Sequence, residues 1–475
     1  SVIFAYTIKG FGLPLAGDPL NHSLLLTNDQ MESVRTTLGI DADDQWALFA
    51  EDSAPGLLCQ QARARLGDGW TTAGDLAPLH VPITVETRNP TVTSTQEALG
   101  RVLSRLADFP ELRERIITMS PDVATSTHLS GWINKVGVFS PVTSPDFEES
   151  AQRMLKWLPN PEGQHIELGI SEMNLFMALS QFGLAQELTG QHLVPIGTVY
   201  DPFVCRGLDA LIYGLYVGAK MIFAGTPAGV SLSPEGGAHQ STVTPSLGIE
   251  LPGVRFYEPA FAHEVEWLLL DAIDRCGDRV NGSSTYLRLS TKGIDHSIAS
   301  DLLAQSDPAI LRDDVLHGGY RLIDWHAAAP DLDARDVVQI AVAGIMVPEA
   351  VAAAKRLHAE GVAANVLVIT SAERLFTDLR ESRRSLLHNA SGQVMHGHLD
   401  RLIPVSERKA PIVTIQDGSS HSLAFLGSVW GVPVVPLGVD EFGQSGTRAD
   451  LYHQTGIDAD AIVNAAMLAL DLLSN

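Results

Sequence analysis

A short apolar run turns directly into a helix in the segment GQHIELGISEMNL, residues 163–175. The run ends at Gly169 and helix-favouring residues follow, which predicts a strand, a tight turn and a helix. Glu172 falls at the helix start, where the positive end of the helix dipole stabilises a carboxylate. Leu175 and Phe176 indicate a buried helix, and a buried carboxylate needs a partner, a proton or a ligand. A plain first-turn glutamate is the alternative.

Length and composition indicate a globular protein of several domains. The chain has 475 residues, 45% of them hydrophobic, and a mean hydropathy of +0.10. No apolar run approaches the ~18 residues that cross a bilayer, so we expect a soluble protein without a membrane partner. The formal net charge of −24 argues against nucleic-acid binding, because a polyanion would be repelled.

The cysteines give no sign of an oxidising environment. Cys59, Cys205 and Cys276 are widely spaced and odd in number, so neither a disulfide framework nor a zinc cluster is indicated. Residues 1–8 lack the positive segment and cleavage site of a signal peptide. We therefore predict a cytoplasmic protein.

Two further segments carry side chains suited to a flat ligand. Tyr200 and Phe203 follow a strand predicted over residues 193–199, and aromatic rings at a strand end can stack on a planar group. Plain core packing is the alternative. His239 ends a glycine-rich loop, residues 225–239, and glycines let a backbone approach a ligand closely. A solvated loop histidine is the alternative there.

Taken in chain order, these motifs resemble the pyrimidine-binding domain of thiamine-diphosphate enzymes of the transketolase superfamily. They are GISE at residues 169–172, VPIGTVYDPF at residues 194–203 and EGGAHQ at residues 235–240. The chain is most similar to the single-chain bacterial first component of pyruvate dehydrogenase and its 2-oxobutyrate-acting relatives. The similarity covers nearly the whole chain, and the front of the family protein has no counterpart here.

The resemblance implies an α/β fold with two three-layer parallel-sheet domains. It assigns residues 1–89 to the end of a diphosphate-binding domain, a mobile loop and a linker, residues 90–330 to the pyrimidine-binding domain, and residues 331–475 to a transketolase C-terminal-like domain. TIKGFG, residues 7–12, matches the last strand of the diphosphate-binding domain. Strands and helices that alternate from residue 337 onward support the last assignment.

The resemblance also implies roles for the cofactor-facing residues. Glu172 would hydrogen-bond N1′ of the thiamine diphosphate pyrimidine and take part in acid–base catalysis, while Tyr200 and Phe203 would hold that ring. Asp122 would face the cofactor from the end of a strand at residues 116–119. The family has Asp followed by Glu at this place, whereas Val123 follows Asp122 here, so that proton-handling detail does not transfer.

Three more residues match family positions that handle the substrate. Lys9, His22 and His239 are the candidates to pair with the substrate carboxylate and to donate protons in acyl transfer. No metal ligand is predicted in this chain. Gly67-Asp68-Gly69 with Asn89 imitates the family's metal motif, but it lies after the strand that it should precede, and we interpret it as a turn.

The implied activity is thiamine-dependent oxidative decarboxylation of a 2-oxo acid, such as pyruvate or 2-oxobutyrate, with transfer of the acyl group to a lipoyl acceptor. A transketolase-type ketol transferase is the alternative, and a non-catalytic paralogue is a third. The implied partners are a chain with the diphosphate-binding domain, which would bind Mg²⁺, and a lipoyl-bearing acyltransferase. We expect a dimer of heterodimers.

Overall fold

The computed structural model describes residues 3–66, 79–121, 127–142, 159–331, 336–388 and 396–474. The chain divides into two compact units, residues 1–70 and residues 71–475. The first unit contains helices α1 (Asn28–Thr37) and α2 (Ala54–Leu66). The strand that the resemblance implies at residues 7–12 does not form, because residues 3–8 have no regular structure and residues 9–12 form turns. A strand needs a neighbour for hydrogen-bond exchange, and residues 3–66 form no other strand.

A parallel sheet of six strands forms within the described part of residues 79–331. Its strands are β1 (Ile116–Ser120), β2 (His165–Glu167), β3 (Val194–Val199), β4 (Ile222–Gly225), β5 (Val254–Tyr257) and β6 (Ser284–Arg288). The spatial order is β2-β1-β3-β4-β6-β5, and every pairing in it is parallel. The carboxyl ends of these strands therefore meet at one edge of the sheet.

Side chains that alternate along the central strands build a core on each face of this sheet. Ile222 and Ala224 of β4 join one cluster, whereas Phe223 between them joins another. This is the period-two alternation of a strand that is buried on both faces. Helices cover both clusters, so the three-layer α/β architecture is confirmed.

Helices α3 to α12 belong to the same part of the chain as this sheet. They are α3 (Thr95–Leu106), α4 (Pro110–Arg115), α5 (Ser130–Val136), α6 (Glu172–Gly183), α7 (Ala185–Thr189), α8 (Leu208–Tyr216), α9 (Thr244–Glu250), α10 (Ala262–Gly277), α11 (Ser300–Gln305) and α12 (Pro308–His317). Ser94 caps α3 in a capping box, in which its Oγ accepts from the N–H of Glu97 at 3.1 Å.

A second sheet, of five strands within the described residues from 319 onward, forms the C-terminal domain. Its strands are β7 (Gly319–Ile323), β8 (Val337–Ala343), β9 (Ala363–Ile369), β10 (Ile412–Ile415) and β11 (Val434–Leu437), in the order β11-β10-β8-β9-β7. β7 runs antiparallel to β9 at the edge, while the other pairings are parallel. β7 lies before the boundary proposed at residue 331, and that boundary stays a prediction.

Helices cover both faces of the second sheet. They are α13 (Trp325–Ala328), α14 (Val347–Ala359), α15 (Ala372–His388), α16 (Leu399–Leu402), α17 (Gly427–Trp430), α18 (Arg448–Gln454) and α19 (Ala459–Ser474). One buried cluster is continuous from α3 and α10 to α14 and α19. The two sheets therefore share a core. Among the described helices, none is long and apolar enough to cross a membrane.

Candidate cofactor-binding site

Glu172 is the first residue of α6 and lies just beyond the end of β2. Gly169, with φ of +74°, makes the turn between them, and Ser171 caps the helix by accepting from the N–H of Asn174 at 3.3 Å. The side chain of Glu172 is only 7% exposed, and Nη1 of the half-exposed Arg206 lies 3.4 Å from its Oε1. A single long contact compensates a buried carboxylate only in part, so Glu172 retains capacity to bind a ligand.

Three rings gather near the end of β3. Tyr200 and Phe203 lie at a 3-10 turn, Asp201–Gly207, and their rings are nearly parallel with centroids 6.0 Å apart. The ring of His239 comes from the distant glycine-rich loop and meets both edge-on, at centroid distances of 5.9 Å and 5.5 Å. The guanidinium of Arg206 lies 3.6 Å from the centre of the Phe203 ring. We call Tyr200, Phe203 and His239 the ring cluster.

Glu172 and the ring cluster line one cavity of about 260 Å³. Its full lining is Ser120, Pro121, Thr127, Ile170, Glu172, Thr198, Val199, Tyr200, Phe203, Glu235 and His239. The cavity opens where parallel strands end, the usual ligand position in open α/β sheets. Its volume is below the ~300–1,000 Å³ of a pocket for a drug-sized ligand, so it suits a single ring system.

The cavity fits the aminopyrimidine part of thiamine diphosphate. A flat apolar ring can contact Tyr200 and Phe203, and a ring nitrogen can share a proton with the buried carboxylate of Glu172. Nδ1 of His239 is buried without a hydrogen-bond partner among the described residues, and a polar ligand group could satisfy it. Groups of three or more metal-ligating side chains do not occur in the described ranges, so no magnesium site is evident there.

Family models match both sheet domains of the chain. The family model of the pyruvate dehydrogenase E1 component middle domain matches residues 84–297, and that of the transketolase-like TK C-terminal domain matches residues 318–458. The pyruvate dehydrogenase E1 component of Corynebacterium glutamicum is 24% identical over 99% of this chain and 52% of its own length. Over these residues the chain is similar to the pyruvate dehydrogenase E1 component, and it spans about half the length of the curated relatives it matches.

Solved structures share the fold of this chain. Transketolase from Leishmania mexicana has a TM-score of 0.64 at 18% identity, over 98% of this chain and 61% of its own. A structure described as a split gene transketolase, an inactive beta4 tetramer, has a TM-score of 0.52 at 21% identity, over 80% of this chain and 99% of its own. At these identities the likeness concerns the fold alone.

The residues that the sequence singles out in this chain fall into three groups. Glu172 and the ring cluster come together in the second unit, as described above. Lys9 and His22 come together in the first unit, where Lys9 Nζ lies 3.0 Å from His22 Nδ1. Asp122 lies outside the described residues, as does the Gly67–Gly69 turn.

Two residues in and near this site were missed in the sequence. Arg206 follows Phe203 by three positions, and such residues eclipse each other in a 3-10 helix, so recognition of that turn would have found the contact. His165 lies buried below the cavity, with Nδ1 2.8 Å from Thr118 Oγ1 and Nε2 3.4 Å from the cavity-lining Ser120 Oγ. Burial lowers the pKa of His165 to about 4, so the imidazole is neutral near pH 7.

Proposed function

We propose that this chain provides the pyrimidine-binding half of a thiamine diphosphate site for the oxidative decarboxylation of a 2-oxo acid. The observation that carries the proposal is the buried carboxylate of Glu172, which shares a cavity of about 260 Å³ with the three rings of the ring cluster. The similarity to the E1 family favours pyruvate or a close homologue such as 2-oxobutyrate as the substrate.

Each residue of the site has a task in this proposal. The chemistry that thiamine diphosphate supplies when bound is stabilisation of a carbanion. Glu172 shares a proton with N1′ of the pyrimidine ring, which is general acid–base catalysis by a positioned carboxylate. Tyr200 and Phe203 orient the ring and keep water from it. Asp122 is a further cofactor-facing residue in this proposal.

The substrate-handling residues in this proposal are Lys9, His22 and His239. His239 pairs with the substrate carboxylate, since its ring lies at the cavity and its Nδ1 is buried without a partner among the described residues. His22 serves acyl transfer to a lipoyl group on an acyltransferase, and Lys9 lies beside it. Both side chains of that pair are exposed and accessible to an incoming acceptor.

A partner polypeptide with the diphosphate-binding domain and the Mg²⁺ site is part of the proposal. The first unit exposes large apolar side chains, with Ile3 90%, Phe4 92% and Phe11 81% exposed. Such surface is normally covered. The structural relative described as a split gene transketolase lends support, since that protein is inactive as a beta4 tetramer. The free thiols of Cys59, Cys205 and Cys276 suit the reducing cytoplasm that we propose as its location.

Decarboxylation measured with ferricyanide as the electron acceptor tests this function. The complete assembly should oxidise pyruvate or 2-oxobutyrate in the presence of thiamine diphosphate and Mg²⁺, and branched 2-oxo acids assayed in parallel measure its preference for side-chain size. Because transketolases share the fold, a ketol transferase is the second candidate. Turnover of sugar phosphates without a lipoyl acceptor would select it, and no thiamine diphosphate binding at all would leave a non-catalytic paralogue.

A further inference from the structure

Asp201 lies between the two aromatic residues of the ring cluster, yet its own side chain points into the core. The carboxylate is fully buried and accepts four side-chain hydrogen bonds. Oδ1 accepts from the hydroxyl of Tyr286, and Oδ2 accepts from the hydroxyls of Ser241 and Thr244 and from Nε of Arg288. The last two contacts measure 2.5 Å and 2.9 Å. The turn with Tyr200 and Phe203 is therefore anchored by a residue that does not line the cavity.

The same carboxylate anchors the loop that carries His239. Ser241, which donates to Asp201, follows His239 by two residues, and its Oγ also accepts from the N–H of Gly229 at 3.2 Å. Gly229 and Ser241 are the two ends of a segment that carries His239. Through Ser241, Asp201 therefore connects the turn with Tyr200 and Phe203 to both ends of that segment.

Arg288 extends this anchor to the C-terminal domain. Its Nη1 donates to Glu258 at 2.6 Å, and its Nη2 donates to the carbonyl oxygen of Asp417 at 2.8 Å. The Asp417 carboxylate in turn accepts from the backbone N–H groups of Val230 and Ser231 at 2.8 Å and 3.0 Å. The His239 loop is thus held from two sides by one polar network.

This network places charged groups in the core, where their removal from water costs free energy. Burial by itself lowers the pKa of Arg288, but the carboxylates of Glu258 and Asp201 outweigh it and hold that pKa above its usual range. Buried ion pairs often stabilise no more than well-packed apolar residues would, while they do restrict the chain to one arrangement. Here the restricted arrangement is that of the ring cluster, because the network contacts both segments that carry its rings.

We propose that Asp201 is a positioning residue that presets the ring cluster for a flat, ring-shaped ligand before the ligand arrives. The identity of that ligand, an aminopyrimidine ring, rests on the proposed function. The positioning itself concerns the ligand-free protein and does not depend on that function.

The test uses the imidazole Cε1–H resonance of His239 in protein labelled with ¹³C-histidine, assigned by its loss in His239→Gln. The resonance senses the neighbouring rings of Phe203 and Tyr200, whose centroids lie 5.5 Å and 5.9 Å away. Asp201→Asn should shift or split this resonance without any ligand present. Thiamine diphosphate affinity of the assembly should fall about tenfold, equivalent to ~1.4 kcal/mol.

Glu258→Gln is the matched control, because it removes the other carboxylate from the same guanidinium. Among the described residues, the Glu258 side chain forms no hydrogen bond with the aromatic turn or the His239 loop. It should leave the His239 resonance in place. An equal shift in both variants, or no shift in Asp201→Asn, overturns the proposal. If Asp201→Asn does not fold, Ser241→Ala should still shift the resonance, and an unchanged resonance there overturns it. Failure of wild-type protein to bind thiamine diphosphate refutes the proposed function instead.

Discussion

Two opposing effects act on the negative charge of the Glu172 side chain. Its place at the N-terminus of α6 stabilises a negative charge, whereas its burial, at 7% exposure, disfavours that charge unless a ligand or Arg206 compensates. A carboxylate under such opposing influences is suited to exchanging a proton with a bound ring nitrogen.

We predict that Glu172→Gln abolishes turnover and leaves the fold intact, because a neutral amide cannot exchange the proton. The loss should reach about 10²-fold or more, which corresponds to ~2.7 kcal/mol of activation free energy. Decarboxylation kinetics and circular dichroism measure the two parts. Glu250→Gln, at an exposed helix end, is the control and should keep full activity. Retention of more than about a tenth of wild-type activity would remove Glu172 from the mechanism.

His165 should make stability depend on pH. Burial lowers its pKa from 6.5 to about 4. Between these pH values, His165 therefore binds a proton in the unfolded chain and not in the folded chain. The stabilisation is complete above about pH 6.5 and is lost as the pH falls towards 4, at ~1.4 kcal/mol per unit. Urea denaturation across this range should show a weaker pH dependence in His165→Gln than in wild type. The exposed His388→Gln should behave like wild type, and identical slopes in all three would contradict the assignment.

At the scale of helices and loops, the two candidate histidines lie on different segments. His22 ends a short 3-10 turn, Pro19–His22, in the first unit, whereas His239 ends the glycine-rich loop of the second. Placement on separate segments allows the two histidines to serve separate half-reactions.

We expect His22→Ala to spare decarboxylation measured with ferricyanide and to depress acyl transfer to a lipoyl domain. The reason is that an artificial acceptor bypasses the acyl-transfer step in which His22 is proposed to act. Parallel assays with both acceptors measure the difference, and His239→Ala provides the contrast, since it should lose activity with either acceptor. An equal loss of both activities in His22→Ala would refute this division of labour.

The capping box of α3 offers a test of local stability. Ser94→Ala removes the acceptor for the N–H of Glu97, and loss of such a cap costs about 1 kcal/mol. Ser104→Ala makes the same chemical change in the interior of the same helix, and it should cost little because Ala favours helices. Urea denaturation of the two variants compares them directly. An equal effect of both substitutions would mean that the cap contributes nothing.

Strong local sequence patterns made most helices and strands predictable. Contacts between residues far apart in the chain could not be predicted from such patterns. The mostly apolar run at residues 364–369 indicated β9, which is buried along its whole length in the structure. β7 was missed because this edge strand has the sequence GYRLI, in which Gly319 and Arg321 interrupt the apolar pattern. Glu172 was a candidate from its helix position alone. Its meeting with His239 depends on tertiary contacts that no local spacing encodes, and it followed only from the family resemblance.

At the scale of the whole molecule, the exposed apolar residues of the first unit lead to a prediction of assembly. Ile3, Phe4 and Tyr6 are almost fully exposed, and unpaired apolar segments associate unless they are covered. We expect native mass spectrometry of the working enzyme to show two copies of this chain with two diphosphate-binding domains, contributed by another subunit or another segment. Thiamine diphosphate titration should require both. A monodisperse assembly of this chain only, with tight cofactor and Mg²⁺ binding, would refute the prediction.

The buried pair of Asp201 and Arg288 has an evolutionary consequence. Loss of Arg288 alone leaves the Asp201 carboxylate without its ion-pair partner in the core, which costs roughly 3–5 kcal/mol, whereas replacement of both by uncharged residues is often tolerated. Loss of Asp201 alone still leaves Arg288 paired with Glu258. Lineages should therefore lose Arg288 only together with Asp201, so that relatives without the arginine also lack the aspartate. Those without the pair must fix the aromatic turn by other means, and their cofactor sites are free to diverge in shape.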